Sequence, residues 1–295
     1  MQKEIYFSLP SVKETFKIYF LLTKPGIIIG NLITTAGGFA LASKGSFSSA
    51  SFLTVLLGIS LVIASACVFN NYIDRDFDKK MERTKGRAFA SGLVSSAKAL
   101  LFAGILGILG MAVLGQFMNL ITMGLAFFGF AVYVFFYSYS KHHSIYGTLI
   151  GSIAGAVPPV VGYYAAGGKL DLGALLMFAI VVFWQMPHFY AIAIFRLEEY
   201  KAASIPVLPV KKGLHQTKVQ MILYIAAFSI ASFLLFSFGY AGYFYLAISI
   251  ILNLYWFVLA FESFKTKNDR QWARKMFAYS LIVITALCAV IPFSS

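Results

Sequence analysis

The chain has 295 residues, 60% of them hydrophobic and only 12% charged, whereas about a quarter of a soluble domain is charged, so an ordinary soluble fold is excluded. A net charge of +13 would suit a nucleic-acid partner, but the basic residues follow the alternation of loops between apolar runs, which is the pattern of membrane orientation. No nucleic-acid function is expected.

Apolar runs close to the roughly 20 residues that cross a bilayer fall at 18–41, 52–72, 97–115, 119–137, 145–166, 172–195, 219–238, 240–261 and 277–293. They predict an all-α polytopic protein of about nine transmembrane helices, forming one membrane-embedded domain over 1–295. The connections at 116–118 and at Gly239 are so short that the helices they join must be antiparallel hairpins. Of the 24 Lys and Arg, all but Lys44 and Lys169 lie on the side of the amino terminus and of the connections after spans two, four, six and eight. That asymmetry puts the amino terminus in the cytoplasm and, with an odd number of spans, the carboxyl terminus outside. The polar start, 1–10, offers no small-residue cleavage site, so the first span is expected to stay in the mature protein. Cys67 and Cys288 sit in apolar runs and read as small hydrophobes, with no disulfide.

The long connections, 73–96 and 196–218, fall on the cytoplasmic side, each after the second helix of a group of four, so a weak pseudo-repeat is conceivable. Pro158, Pro159 and Pro187 interrupt spans five and six. Such interruptions persist in lipid only where protein groups satisfy the freed carbonyls, which points to a protein-lined central cavity.

At the end of span two the sequence runs from Asn70 to Arg87 through Asp74, Asp76 and Asp78. With 3.6 residues per turn, Asn70, Asp74 and Asp78 share one face, each about 6 Å further along the axis. Two carboxylates and an amide make an incomplete cage for Mg²⁺, which keeps waters and takes its remaining oxygens from substrate phosphates. A phosphorylated substrate is therefore expected, with Arg83, Lys85 and Arg87 close enough to neutralise charge on a departing diphosphate. The bland alternative is a solvated turn whose carboxylates pair with nearby lysines; the shared register favours a site. Asp76 points elsewhere.

Span six ends in Trp184-Gln185-Met186-Pro187-His188-Phe189-Tyr190 and continues through Arg196, Glu198, Glu199 and Lys201. An ionisable residue within a span is a functional candidate by default. His188 can bind a metal, carry a proton, or simply hydrogen-bond a freed carbonyl. Arg196 and Lys201 can grip phosphate and Glu198 and Glu199 can help hold a second metal, or all four are ordinary flanking charge. Lys141, after Tyr137-Ser138-Tyr139-Ser140, shares the face of both loops, while His142 and His143 beside it read as surface residues because adjacent helical positions diverge by about 100°. Lys24-Pro25, with Asn31 two turns deeper, adds a polar entry on that side.

Over nearly the whole chain these residues resemble the UbiA-type intramembrane prenyltransferases, and within them the branch that farnesylates haem. Asn70, Asp74 and Asp78 stand where that family has its Asn-x-x-x-Asp-x-x-x-Asp motif. The haem branch is indicated by Met81-Glu82-Arg83-Thr84, by Tyr146-Gly147-Thr148-Leu149-Ile150-Gly151-Ser152, and by two longer blocks, from Pro187 to Arg196 and from Tyr200 to Pro209. Many relatives carry a second Asp-x-x-x-Asp motif after span six, but here Glu198, Glu199, Lys201 and Ala203 occupy the stretch.

The resemblance implies transfer of a farnesyl group from farnesyl diphosphate to a vinyl group of haem B, giving haem O and diphosphate, with Mg²⁺ as cofactor. It implies catalytic and metal-binding roles for Asn70, Asp74 and Asp78, with Glu199 as a further metal ligand, and diphosphate contacts from Lys24, Arg83, Arg87, Lys141, Arg196 and Lys201. Arg196 or Lys201 is then expected to supply the charge that a second ion supplies in those relatives. His188 is the implied haem residue. The expected setting is a bacterial inner membrane, with the active site on the cytoplasmic side and haem-copper oxidase assembly machinery as a possible recipient of product. The rival readings are a prenyltransferase with a quinone-precursor acceptor, a secondary transporter, and an assembly factor with a vestigial site. A transporter would place its polar groups near the bilayer midplane, whereas these cluster at the cytoplasmic ends.

Overall fold

The computed structural model describes residues 11–43 and 45–294. The segment 1–10 and Lys44, which entered the orientation argument, lie outside the described residues. Among those described, nine helical segments are long and apolar enough to cross a membrane, and no strand occurs.

A short helix α1 (Val12–Leu22), opened by a Ser11–Glu14 capping box, precedes the first span, α2 (Pro25–Ser43). The sequence reading had merged the two into one run. Lys24 separates them with φ 52, because a residue before proline is pushed out of the right-handed helical region. The second span is α3 (Ser49–Asp78), capped by Ser48. It runs one and a half turns past its predicted end and so carries the whole acidic cluster on one continuous helix.

The third span is α4 (Ser96–Phe117). The fourth consists of α5 (Leu120–Ala131), a π-helical turn (Val132–Tyr137) and α6 (Ser138–His143). The fifth, predicted as one run, is broken at Ala156 into α7 (Gly147–Gly155) and α8 (Val157–Ala165), with Pro158 and Pro159 in the first turn of α8, where their missing N–H groups cost least. By contrast the sixth span, α9 (Leu172–Phe195), continues through Pro187.

After a short α10 (Leu197–Ala202) come α11 (Leu208–Ser237), kinked at Gly213 (φ 83), α12 (Tyr243–Phe261) and α13 (Asp269–Val290). Asn119, Asp171 and Asn268 accept hydrogen bonds from the first free N–H groups of α5, α9 and α13, satisfying donors that lipid cannot.

Two apolar clusters hold the bundle together, one joining α9, α11, α12 and α13 through Met177, Met221, Trp256 and Met276, the other joining α2, α3, α4 and α8 through Phe39, Ile59, Leu114 and Val161. Small residues set the closest approaches, as is general where lipid gives no hydrophobic drive between helices. A Cβ on Gly38 would lie 1.9 Å from the Pro159 carbonyl oxygen and one on Gly162 2.1 Å from that of Thr35, so α2 and α8 meet backbone to backbone. On α3, Ser65 donates to the Ala103 carbonyl of α4 at 2.7 Å.

Candidate active site

The acidic cluster projects from the last turns of α3 into a cavity of about 410 Å³. Asn70, Asp74 and Asp78 are 1%, 2% and 5% exposed, and each is met by a base from elsewhere in the chain. Lys24 Nζ donates to Asn70 Oδ1 at 2.6 Å, while Asn70 Nδ2 donates to Ser138 Oγ at 2.9 Å. Asp74 accepts from Lys141 through one oxygen and from His142 Nε2 at 2.9 Å through the other. Arg87 Nη1 lies 3.0 and 2.9 Å from the two oxygens of Asp78. Asp76 has turned away, 62% exposed and paired with Lys79, as the helical register requires.

Lys24 lies just outside the first span, and burial pulls its ammonium down to about 8. Its left-handed backbone turns the chain so that the side chain reaches Asn70. Asn71, next on α3, donates to the Leu22 carbonyl at 2.9 Å and fixes the end of α1 against the site.

His142 departs from the surface position read from sequence. Its side chain is 3% exposed and its ring stacks on Phe77 at 3.6 Å between centroids. Two adjacent positions thus reach one carboxylate, each through a different oxygen. His143 does remain outside, stacked on Tyr139.

Arg83, Arg87 and Arg196 also line the cavity, together with Tyr200. Other members of the second constellation lie outside this lining. Lys201 does not line the cavity; it is half exposed and donates to Glu198 at 2.9 Å. Glu199 also stays outside the lining, its carboxylate accepting from Arg196 at 2.8 Å and lying 3.7 Å from Arg83. Each of these two side chains instead has a charged partner three positions away on the same short helix segment, Lys201 with Glu198 and Glu199 with Arg196.

Among the described residues no three His, Cys, Asp or Glu side chains come together as a metal site. The donors that fit a hard cation are the Asn70 amide oxygen with the Asp74 and Asp78 carboxylates, all opening on one chamber, and a Mg²⁺ held there must complete its shell from water and phosphate oxygens.

A second cavity, about 270 Å³ and mostly apolar, adjoins the first; Ile27, Tyr133, Tyr137 and Phe189 line both. Tyr133 and Tyr137 are the first and last aromatic residues of the π-helical turn, their ring centroids 5.2 Å apart, and single π turns are frequent at functional sites. Tyr133 OH lies 3.5 Å from Asn70 Oδ1. Sequence reading missed Tyr133, Ser138 and His142; a tyrosine-serine-lysine pattern at the end of span four was the available signal. Asn31, Gln185 and His188 line the apolar cavity, and His188 hydrogen-bonds Ser280 Oγ at 2.8 Å.

Residues 31–282 match the UbiA prenyltransferase family. The protoheme IX farnesyltransferase of Protochlamydia amoebophila is 50% identical over 93% of this chain and 97% of its own length. That of Serratia proteamaculans is 54% identical over 95% of each chain. Among solved structures, digeranylgeranylglyceryl phosphate synthase superposes with a TM-score of 0.79 at 20% identity, covering 95% of this chain and 98% of that one. A UbiA homologue from Archaeoglobus fulgidus bound to GPP and Mg²⁺ gives a TM-score of 0.69 at 17% identity, covering 94% and 99%. At those identities the two structures establish a shared fold.

Proposed function

The chain belongs to the UbiA prenyltransferase family, and from that premise we propose that it acts as a protohaem IX farnesyltransferase, making haem O from haem B and farnesyl diphosphate. Relatives of that name, half or more identical over nearly the full length, support the substrates. The observation that carries the reading is the pair of joined cavities: one ringed by acids and bases, the other apolar, with two tyrosines between them.

The polar chamber takes the diphosphate and the apolar one the farnesyl tail, so the allylic C1 lies beside Tyr133 and Tyr137. Lys141, Arg87, Arg83, Arg196 and Lys24 stabilise the diphosphate as the C1–O bond breaks and its electrons leave with oxygen. Asn70, Asp74 and Asp78 would hold Mg²⁺, which would supply further charge neutralisation to that leaving group. A haem vinyl group attacks C1, the positive charge passes into the porphyrin, and water captures it to leave a hydroxyethylfarnesyl side chain. The aromatic walls exclude water until the vinyl arrives and favour the cationic C1. His188, in the wall of the apolar chamber, orients the haem by ligating its iron.

In this reading the whole chain, 1–295, is one prenyltransferase domain of the bacterial inner membrane. Its amino terminus and active site face the cytoplasm, in keeping with the distribution of Lys and Arg, and its product passes toward haem-copper oxidase assembly. Incubating the purified protein with farnesyl diphosphate, haem B and Mg²⁺, then weighing the porphyrin product, tests the assignment. A mass equal to haem O is expected; unchanged haem B beside a prenylated quinone precursor in a parallel assay would overturn it.

A further inference from the structure

One hydroxyl on α13 determines which nitrogen of His188 faces the apolar cavity. Ser280 Oγ lies 2.6 Å from the Phe277 carbonyl oxygen and 2.8 Å from His188 Nδ1. Two oxygens cannot approach to 2.6 Å with lone pairs opposed, so the single hydroxyl proton of Ser280 lies between them, donated to Phe277. The remaining capacity of Oγ is as an acceptor. His188 Nδ1 must then carry the proton and donate it to Ser280, which leaves Nε2 as the nitrogen with a free lone pair.

The same serine also fixes the ring's surroundings. Its carbonyl accepts from Trp184 Nε1 at 2.6 Å. Trp184, one helical turn before His188 on α9, stacks on the imidazole at 4.9 Å between centroids, and Phe277 packs against it at 4.8 Å. Ser280 is fully buried. The ring is thus held by a hydrogen bond on one nitrogen and by aromatic contacts on its faces. Nε2 makes no hydrogen bond with the described residues, and His188 lines the apolar cavity, where few polar partners are available. A fixed, neutral imidazole with one nitrogen tied to an acceptor and the other bare is the arrangement of a metal-ligating histidine.

We propose that Ser280 is the positioning residue that presents His188 Nε2 as an axial ligand to the iron of the porphyrin acceptor. The inference rests on the haem reading of His188 given above and adds the group that selects its tautomer and orientation. Nε2 gives its lone pair to the iron, Nδ1 keeps its proton, and the Nδ1–H···Oγ bond raises the donor strength of the ring. Because α13 supplies the serine and α9 the histidine, the depth of the haem in the cavity is tied to the packing of those two spans.

The test is haem binding followed by optical absorption and by resonance Raman of the reduced complex, using the full chain in lipid nanodiscs without farnesyl diphosphate. The wild type is expected to show a histidine-ligated spectrum and an iron–histidine stretching band. His188→Ala should lose that band and regain a ligated spectrum on addition of imidazole. Ser280→Ala should still bind haem, with affinity lower by about 10- to 100-fold, the scale of losing a metal ligand's supporting partner, and with the band moved to lower frequency. Ser280→Thr, which restores the acceptor, should return both toward the wild type. If Ser280→Ala leaves the band and the affinity unchanged while His188→Ala abolishes the band, the role of Ser280 is overturned and that of His188 stands. If His188→Ala leaves the wild-type spectrum intact, the haem reading of His188 fails first. Should Ser280→Ala not fold, Ser280→Cys, a weaker acceptor of similar size, carries the same comparison.

Discussion

The end of α3, the second span, and the segment after α9, the sixth span, handle charge in opposite ways. On α3 the polar side chains are buried, and their partners come from distant parts of the sequence: Lys24 between α1 and α2, Lys141 and His142 on α6, Arg87 beyond the helix. After α9 the pairs are local, Arg196 with Glu199 and Lys201 with Glu198, each within one turn. Partners assembled by tertiary structure around buried groups hold a fixed geometry, whereas an exposed pair one turn apart, such as Lys201 with Glu198, contributes little. The first region is built as a site, and the second lends it one arginine.

The strongest way to break that contrast is at Asp74, where Lys141 and His142 converge. Asp74→Ala is expected to lower kcat by on the order of 10³-fold or more, as does loss of a principal electrostatic element, and to remove the response of turnover to added Mg²⁺; haem O formation by the purified protein would show it. Next comes Lys141→Met, which removes the diphosphate contact proposed for it and leaves Asp74 with His142 alone. A loss of about 10²-fold in kcat/KM for farnesyl diphosphate is expected, while a rate within twofold of wild type would remove Lys141 from the leaving-group role.

Glu199→Gln probes the second region. Holding Arg196 and Arg83 is a supporting task, so a loss of about 10-fold, seen mainly as a raised KM for farnesyl diphosphate, is expected. The smallest effect belongs to Lys201→Glu. Its exposed pairing predicts less than about a fivefold change in turnover, with Mg²⁺ dependence intact. A large loss there would mean that the two loops share the diphosphate more equally than their geometry indicates.

Much of this was legible in the sequence. The spans follow from hydropathy, and Asn70, Asp74 and Asp78 follow from helical register, because 3.6 residues per turn is a local property of the backbone. The partners were not legible to the same degree. Ser138 meets Asn70 across 68 positions of chain and Ser280 meets His188 across 92, and no local pattern encodes such meetings. His142 was misread because divergence between adjacent helical positions does not say which of them the end of α3 will meet. The break at Lys24 had a signal in the proline that follows it, outweighed by the surrounding apolar run. In the stretch 196–201 the residue types suit ligands throughout, but only Arg196 lines the cavity with Tyr200, and residue type alone does not say which of several neighbouring charges will face it.

The pairing of each acidic-cluster side chain with a base bears on how the polypeptide is made. A carboxylate left alone at the mouth of a bundle pays heavily for losing water, and a chain that relied on a divalent cation to quench it would have to await that cation during insertion. Because Lys24, Arg87, Lys141 and His142 already partner these side chains, packing of the described spans does not need a cation to quench the cluster.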